Sequence, residues 1–264
     1  MKEQRAIVAT EFGQMHARLA GEGGVPLVLL HMSPRSSQMW THLQAVLGRR
    51  TVALDRLGYG FSDAPPRTLT MREYAAAVVQ ALDALAVDEQ FDILGMHTGA
   101  LEAIEVAHLA PERVRNIGIV AIPIFTAAER EHGMQTFAQL KVVPVEDGSH
   151  LVAAWRARFQ YRQSPYDLTD VARRMLDYLL APYPGQAYVG VFSYDAAPRL
   201  TSLRHRLVAF VPHDDVYEMS VRSRAILPVQ ATYLDLPDCD MDLFLTAVPR
   251  MAALLDEYLP AGRE

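Results

Sequence analysis

One imidazole occupies a position where a chain can do chemistry. His97 sits in Gly95-Met96-His97-Thr98-Gly99, between the apolar run Phe91 to Leu94 and a segment with helical spacing. A neutral imidazole can act as base, nucleophile or hydrogen-bond donor, and needs no separate base to become nucleophilic near neutral pH. Further along, Asp214 and Asp215 follow another apolar run in VPHDDVYE. Adjacent aspartates there suit either a solvated turn or a carboxylate partner for the imidazole. The nine histidines show no HExxH spacing and there is no CxxC, so no metal site is expected. No GxGxxG follows a strand, and no nucleotide or other cofactor is expected.

Composition narrows the partners. The 264 residues are 50% hydrophobic, enough to bury a sizeable core, and fall within the range of one large α/β domain. Acids outnumber bases 31 to 25, for a net charge of −6. That balance gives no electrostatic reason to expect nucleic acid or an anionic membrane. One cysteine, Cys239, excludes an intrachain disulfide. The charged N-terminal stretch lacks a signal-peptide core, and no apolar run reaches the roughly 18 residues of a membrane span. The expectation is a cytoplasmic protein with a small-molecule partner; the oligomeric state is open.

The elements that must carry His97 and the aspartates alternate. Leu27 to His31, Thr51 to Asp55, Phe91 to Leu94, Asn116 to Ile122, Leu207 to Val211 and Ala231 to Leu236 read as buried strands. Between them, Met71 to Leu85 places Met71, Tyr74, Val78, Leu82 and Leu85 on one helical face, behind a Thr70/Glu73 capping box. Ala100 to Leu109 and Pro249 to Leu259 also read as helices. The alternation predicts a mostly parallel sheet covered on both faces. From about 125 to 199 the pattern turns helical without a central strand. This stretch is expected to be a helical lid inserted into a single domain spanning 1–264.

The runs VPLVLLHMSPRSSQMW, VALDRLGYGFSDAPP and FDILGMHTGALEAIEVAHLAPERV resemble, in order and spacing, the α/β-hydrolase superfamily. The resemblance implies an α/β-hydrolase fold, a mostly parallel central sheet flanked by helices with a helical lid insertion. GMHTG stands at the G-x-S-x-G nucleophile elbow, with His97 in place of the nucleophile. The elbow is a sharp strand-to-helix turn, where Gly95 and Gly99 remove side chains that would collide and histidine tolerates positive φ. The resemblance puts Asp215, with Asp214 as its neighbour, at the catalytic acid. It puts the backbone N–H groups of Ser33 and Thr98 at the oxyanion hole, with Met32 replacing the family's usual glycine.

The family's histidine should follow LDLPD, but Met241 stands there, with Asp240 as the alternative register. No histidine follows His213. The implied arrangement is a collapsed dyad of His97 and Asp215. His31, Met32, Ser36, Met96, Trp155 and Met241 are expected around the pocket, although His31 also reads as a structural support. Trp155, Phe159, Tyr161 and Tyr188 suggest aromatic lining or an ordinary core stripe. Two functions follow: hydrolysis or base-catalysed cleavage of a small apolar ester, thioester or dicarbonyl compound, or a catalytically silent homologue that binds a small ligand or protein partner.

Overall fold

The computed structural model describes residues 3–160, 167–181 and 183–262, without the side chains of Phe159 and Gln160. The chain opens with a hairpin, β1 (Gln4–Thr10) and β2 (Gly13–Ala20). There follow β3 (Leu27–Leu30), α1 (Thr41–Val46), β4 (Thr51–Leu54), α2 (Met71–Ala84), β5 (Phe91–Met96), α3 (Thr98–Leu109) and β6 (Val114–Val120). Five helices come next: α4 (Ala127–Thr136), α5 (Ser149–Gln160), α6 (Leu168–Leu180), α7 (Gln186–Phe192) and α8 (Ala196–Thr201). The sheet resumes with β7 (Arg206–Pro212), α9 (Tyr217–Val221) and β8 (Thr232–Leu236), and α10 (Leu243–Thr246) and α11 (Val248–Tyr258) close the chain.

The eight strands form one sheet in the order β1-β2-β4-β3-β5-β6-β7-β8. β1/β2 and β2/β4 pair antiparallel, and every other neighbour pairs parallel. β3, β4 and β5 are buried along their whole length, which is why their sequences are continuous apolar runs without alternation. α2 and α3 cover one face with Tyr74, Val78, Leu101 and Ile104. Trp40, Leu43, Met251 and Leu255 pack on the other. This is the α/β-hydrolase fold.

The six expected strands and three expected helices are present within a few residues of the expected bounds. The Thr70/Glu73 capping box closes in both directions. The antiparallel hairpin β1–β2 was not foreseen. Its outer strand alternates half-buried and exposed residues, and its hydrophobic signal is correspondingly weak. Among the described residues, no helix is long and apolar enough to cross a membrane.

Helix α6 is turned contrary to simple amphipathic logic. Arg174 and Asp177 are buried, whereas Leu168, Leu176 and Leu180 are exposed. The buried charges are partnered: Asp177 accepts from Arg35 Nε at 2.9 Å and from Ser36 Oγ, and Arg174 pairs with Asp242. These contacts tie the helical insertion to the loops after β3 and β8.

Candidate active site

His97 caps α3 at φ 48°, ψ −111°, a backbone state uncommon for a side chain. Its neighbours make the turn possible. A Cβ on Gly95 would overlap the carbonyl oxygen of Gly99, and one on Gly99 would overlap that of Leu30. The turn is held on both sides, by His97 N–H donating to Val120 O at 3.0 Å and Ala100 N–H donating to His97 O at 3.0 Å. The strained residue is therefore fixed where the C-terminal end of β5 meets the cavity.

The imidazole is buried, and its Nε2–H donates to Asp214 Oδ2 at 2.7 Å. Asp214 leaves β7 just beyond Pro212, and its other oxygen accepts from Val216 N–H at 3.0 Å. The expected partner was Asp215; the structure puts Asp214 there. Consecutive residues beyond a strand end point in different directions, so one aspartate turns inward to the imidazole and the other faces the cavity. Asp215 lines that cavity. The reactive atoms of His97, Asp214 and Asp215 nevertheless lie within 4.8 Å of one another. Nδ1 of His97 has no hydrogen-bond partner among the described residues.

Charge and burial compete at this imidazole. Burial disfavours the cation, but the carboxylate of Asp214, through its charge and its hydrogen bond, and that of Asp215 together outweigh it. The His97 pKa lies above the ordinary imidazole value. Asp215 is exposed, yet its exposure is to a cavity walled by protein. Burial, with the negative charge of Asp214 added, raises its carboxyl against the opposing pull of His97.

The cavity has a volume of about 460 Å³. One end holds His97, Asp215, Met32, Ser33 and Thr98. The walls are apolar: Phe125, Phe137, Tyr188, Val191, Phe192, Val216 and Met219. Phe192 is the hub, with ring centroids 5.2 Å from Phe125, 5.9 Å from Phe137 and 6.0 Å from Tyr188. Glu129 and His132 of α4 also enter the lining, and Glu129 is already engaged by Arg222 at 2.8 Å.

The backbone N–H groups of Ser33 and Thr98 have no partner among the described residues, and both residues border the cavity next to His97. Buried polar side chains hold the Ser33 loop. Arg56 donates to Ser33 Oγ at 3.0 Å and His31 O at 2.8 Å, and forms a buried pair with Glu102. Tyr188 OH donates to Ser33 O at 3.0 Å. Sequence reasoning missed Arg56, Glu102 and Tyr188 as loop supports. A buried arginine inside LDRLGYG was the available signal, since such a charge must find a partner.

Several expected pocket residues lie elsewhere. His31 is buried with both ring nitrogens engaged: Nδ1–H donates to Met32 O at 2.9 Å, and Nε2 accepts from Arg56 N–H at 2.9 Å. Burial and the neighbouring Arg56 push its pKa down to about 3, so it is a neutral brace. Ser36 is taken by Asp177 and caps the short turn Ser37–Trp40. Met96 is enclosed in the core. Trp155 is half-buried on α5, away from the cavity lining. Met241 borders a small separate cleft with Arg35, Arg174 and Asp242. His31 and Ser36, just after β3, satisfy neighbouring polar groups, and Met96, at the end of β5, satisfies the core, before any of them meets a ligand. Tyr161 and the side chain of Phe159 lie outside the described residues.

A mostly parallel sheet with an elbow after β5, carboxylates after β7 and N–H donors beside the elbow that are unpaired among the described residues defines a class. Residues 25–195 match the family model described as alpha/beta hydrolase fold, and the chain belongs to that family. It is 31% identical over 130 residues to the 2-hydroxymuconate semialdehyde hydrolase of Pseudomonas sp. (strain CF600), covering 45% of this chain and 46% of that one. It is 35% identical over 120 residues to epoxide hydrolase 1 of Siraitia grosvenorii, covering 43% and 37%. The chain thus spans less than half the length of these curated relatives. Among solved structures, the enol-lactonase from Burkholderia xenovorans LB400 superposes with a TM-score of 0.78 at 16% identity, covering 96% of this chain and 99% of that one. An esterase from Exiguobacterium antarcticum gives 0.79 at 17%, covering 96% and 98%.

Proposed function

We propose that this protein is a cofactor-independent hydrolase of small, mostly apolar carbonyl compounds, esters, thioesters or β-dicarbonyls, in which His97 with Asp214 replaces the usual hydroxyl nucleophile. One observation carries the reading. His97 spends Nε2 on a buried carboxylate, leaves Nδ1 without a hydrogen-bond partner among the described residues, and lines the cavity together with Ser33 and Thr98, whose N–H groups are likewise unpaired among those residues. A proton-transfer group thus sits next to donors able to hold an oxyanion, a combination worth about 2.7–4 kcal/mol per donor in a transition state. The apolar walls favour an uncharged substrate. That relatives carry the names of semialdehyde and epoxide hydrolases supports the class.

With no serine at the elbow, water is the attacking group in this proposal, with His97 moving protons rather than forming a covalent acyl-imidazole. A screen of aryl and alkyl esters, thioesters and β-dicarbonyls against wild type and His97→Ala tests the proposal. At least one compound should turn over and lose that turnover in the variant. Serine-directed fluorophosphonates should leave the protein unlabelled.

A silent, ligand-binding homologue is the second reading, favoured by Met241 standing at the place of the family's histidine. It requires that no compound show His97-dependent turnover, while apolar carbonyl compounds still bind and raise the melting temperature.

A further inference from the structure

The loop after β7 brings two carboxylates to one imidazole. Asp214 is buried, and its oxygens are occupied by Val216 N–H and His97 Nε2–H. It can orient the ring but has nothing left for a substrate. Asp215 is different: it faces the cavity, its reactive atom is within 4.8 Å of those of the other two, and no side-chain hydrogen bond engages it among the described residues. A ring set between two acidic groups in a partly enclosed site keeps its proton, because the cation neutralises what would otherwise be two adjacent anions. The raised pKa of His97 agrees with that state. An imidazolium cannot accept a proton, so the base must be sought elsewhere.

We propose that Asp215 is the catalytic base of this site and that His97, clamped by Asp214, is the acid. This assignment rests on the hydrolase reading above and reverses the roles that the elbow position suggests. The other titratable groups bordering the cavity do not compete for either role. Tyr188 on α7 donates to Ser33 O, Glu129 on α4 is held by Arg222, and His132, also on α4, has its Nε2 3.5 Å from Thr136 Oγ1 and is absent from the His97–Asp214–Asp215 cluster.

The step balances without any cofactor. Asp215 takes one proton from a water molecule, and the water oxygen forms a bond to the substrate carbonyl carbon. The π pair moves onto the carbonyl oxygen, beside the N–H groups of Ser33 and Thr98. When that pair returns, the bond to the leaving oxygen or sulfur breaks with its electrons, and His97 Nδ1 gives that atom its proton. The proton on Asp215 passes back to His97. Water and ester become acid and alcohol, and nothing is oxidised or reduced.

Two measurements test this. In protein labelled with 15N-histidine, with His97→Gln used for assignment, the His97 ring should carry protons on both nitrogens near neutral pH. Asp215→Asn should lower its titration midpoint. A neutral His97 near neutral pH would overturn the assignment. With phenyl acetate as probe, or whichever ester the screen finds best, Asp215→Asn should lower kcat by at least about 100-fold, the usual worth of a general base. Asp215→Glu should recover part of it. Undiminished turnover in Asp215→Asn, with His97→Gln inactive, refutes the base but leaves the hydrolase reading standing. If no ester shows turnover dependent on His97, the hydrolase reading fails and this assignment with it.

Discussion

Replacing Asp214 by asparagine keeps the shape and one acceptor for His97 Nε2–H, removes the charge, and turns an amide NH2 toward Val216 N–H, so that bond is lost as well. The bond at 2.7 Å is buried on both sides. Charge-assisted bonds contribute about 1.5–3 kcal/mol against about 0.5–1.5 for neutral ones, so the substitution should cost roughly 1–2 kcal/mol while His97 is charged. For a chain of this size that is about 2–8 °C in melting temperature. The pH dependence identifies the source. The pKa of His97 is raised in the folded state, so its stabilisation is fully present below the ordinary imidazole value of about 6.5 and fades as pH rises through the folded value. Melting curves for wild type and Asp214→Asn between mildly acid and mildly alkaline pH should therefore lie furthest apart on the acid side and draw together on the alkaline side, down to the constant offset left by the lost Val216 N–H bond. In the variant, burial acts with less opposition and the titration should move downward. A gap that stays constant, or widens with rising pH, would refute the claim that Asp214 holds a charged His97.

Gly99→Ala should destabilise the protein by several kcal/mol in urea titration, because the added Cβ meets the immovable carbonyl oxygen of Leu30. Phe192→Ala should cost roughly 3–5 kcal/mol for loss of a buried ring, and should weaken binding of apolar ligands seen by calorimetry, since Phe192 contacts three of the aromatic walls. Asp177→Ala strands the buried ends of Arg35 and Ser36. A loss of about 3 kcal/mol, with faster amide exchange confined to α6 and the Ser33 loop, is expected. His97→Ser with Met241→His should remain unlabelled by fluorophosphonates, because Met241 borders a cleft other than the cavity holding His97; labelling would mean that a histidine at 241 reaches the elbow.

The sheet was legible because β3 to β7 are buried runs whose apolar character needs no context to read. The elbow was legible because glycine is demanded at two fixed distances from the strained residue, and Gly95 and Gly99 stand at both. The hairpin β1–β2 was not legible, since an edge strand half in solvent has little reason to be hydrophobic. Pocket membership failed for Ser36, Met96, Trp155 and Met241. Sequence position brings a residue to the right end of the sheet but does not decide which neighbour it contacts.

The Asp214/Asp215 pair shows this limit at its sharpest. Both follow β7, both are acidic, and nothing in VPHDDVYE orders them. The decision is made by geometry: His97 reaches further from the elbow than a serine would, and it meets the carboxylate that Val216 N–H has already turned inward. The longer side chain thus uses the family's loop without using its histidine. It also leaves one carboxylate over, at the cavity, where the ordinary arrangement has no vacant role. On the reading proposed above, that surplus acid, more than the missing histidine, argues for a relocated proton-transfer site over a decayed one. Decay removes groups, whereas here Asp215, with no side-chain hydrogen bond among the described residues, stands within 4.8 Å of an imidazole that an ion pair already fixes.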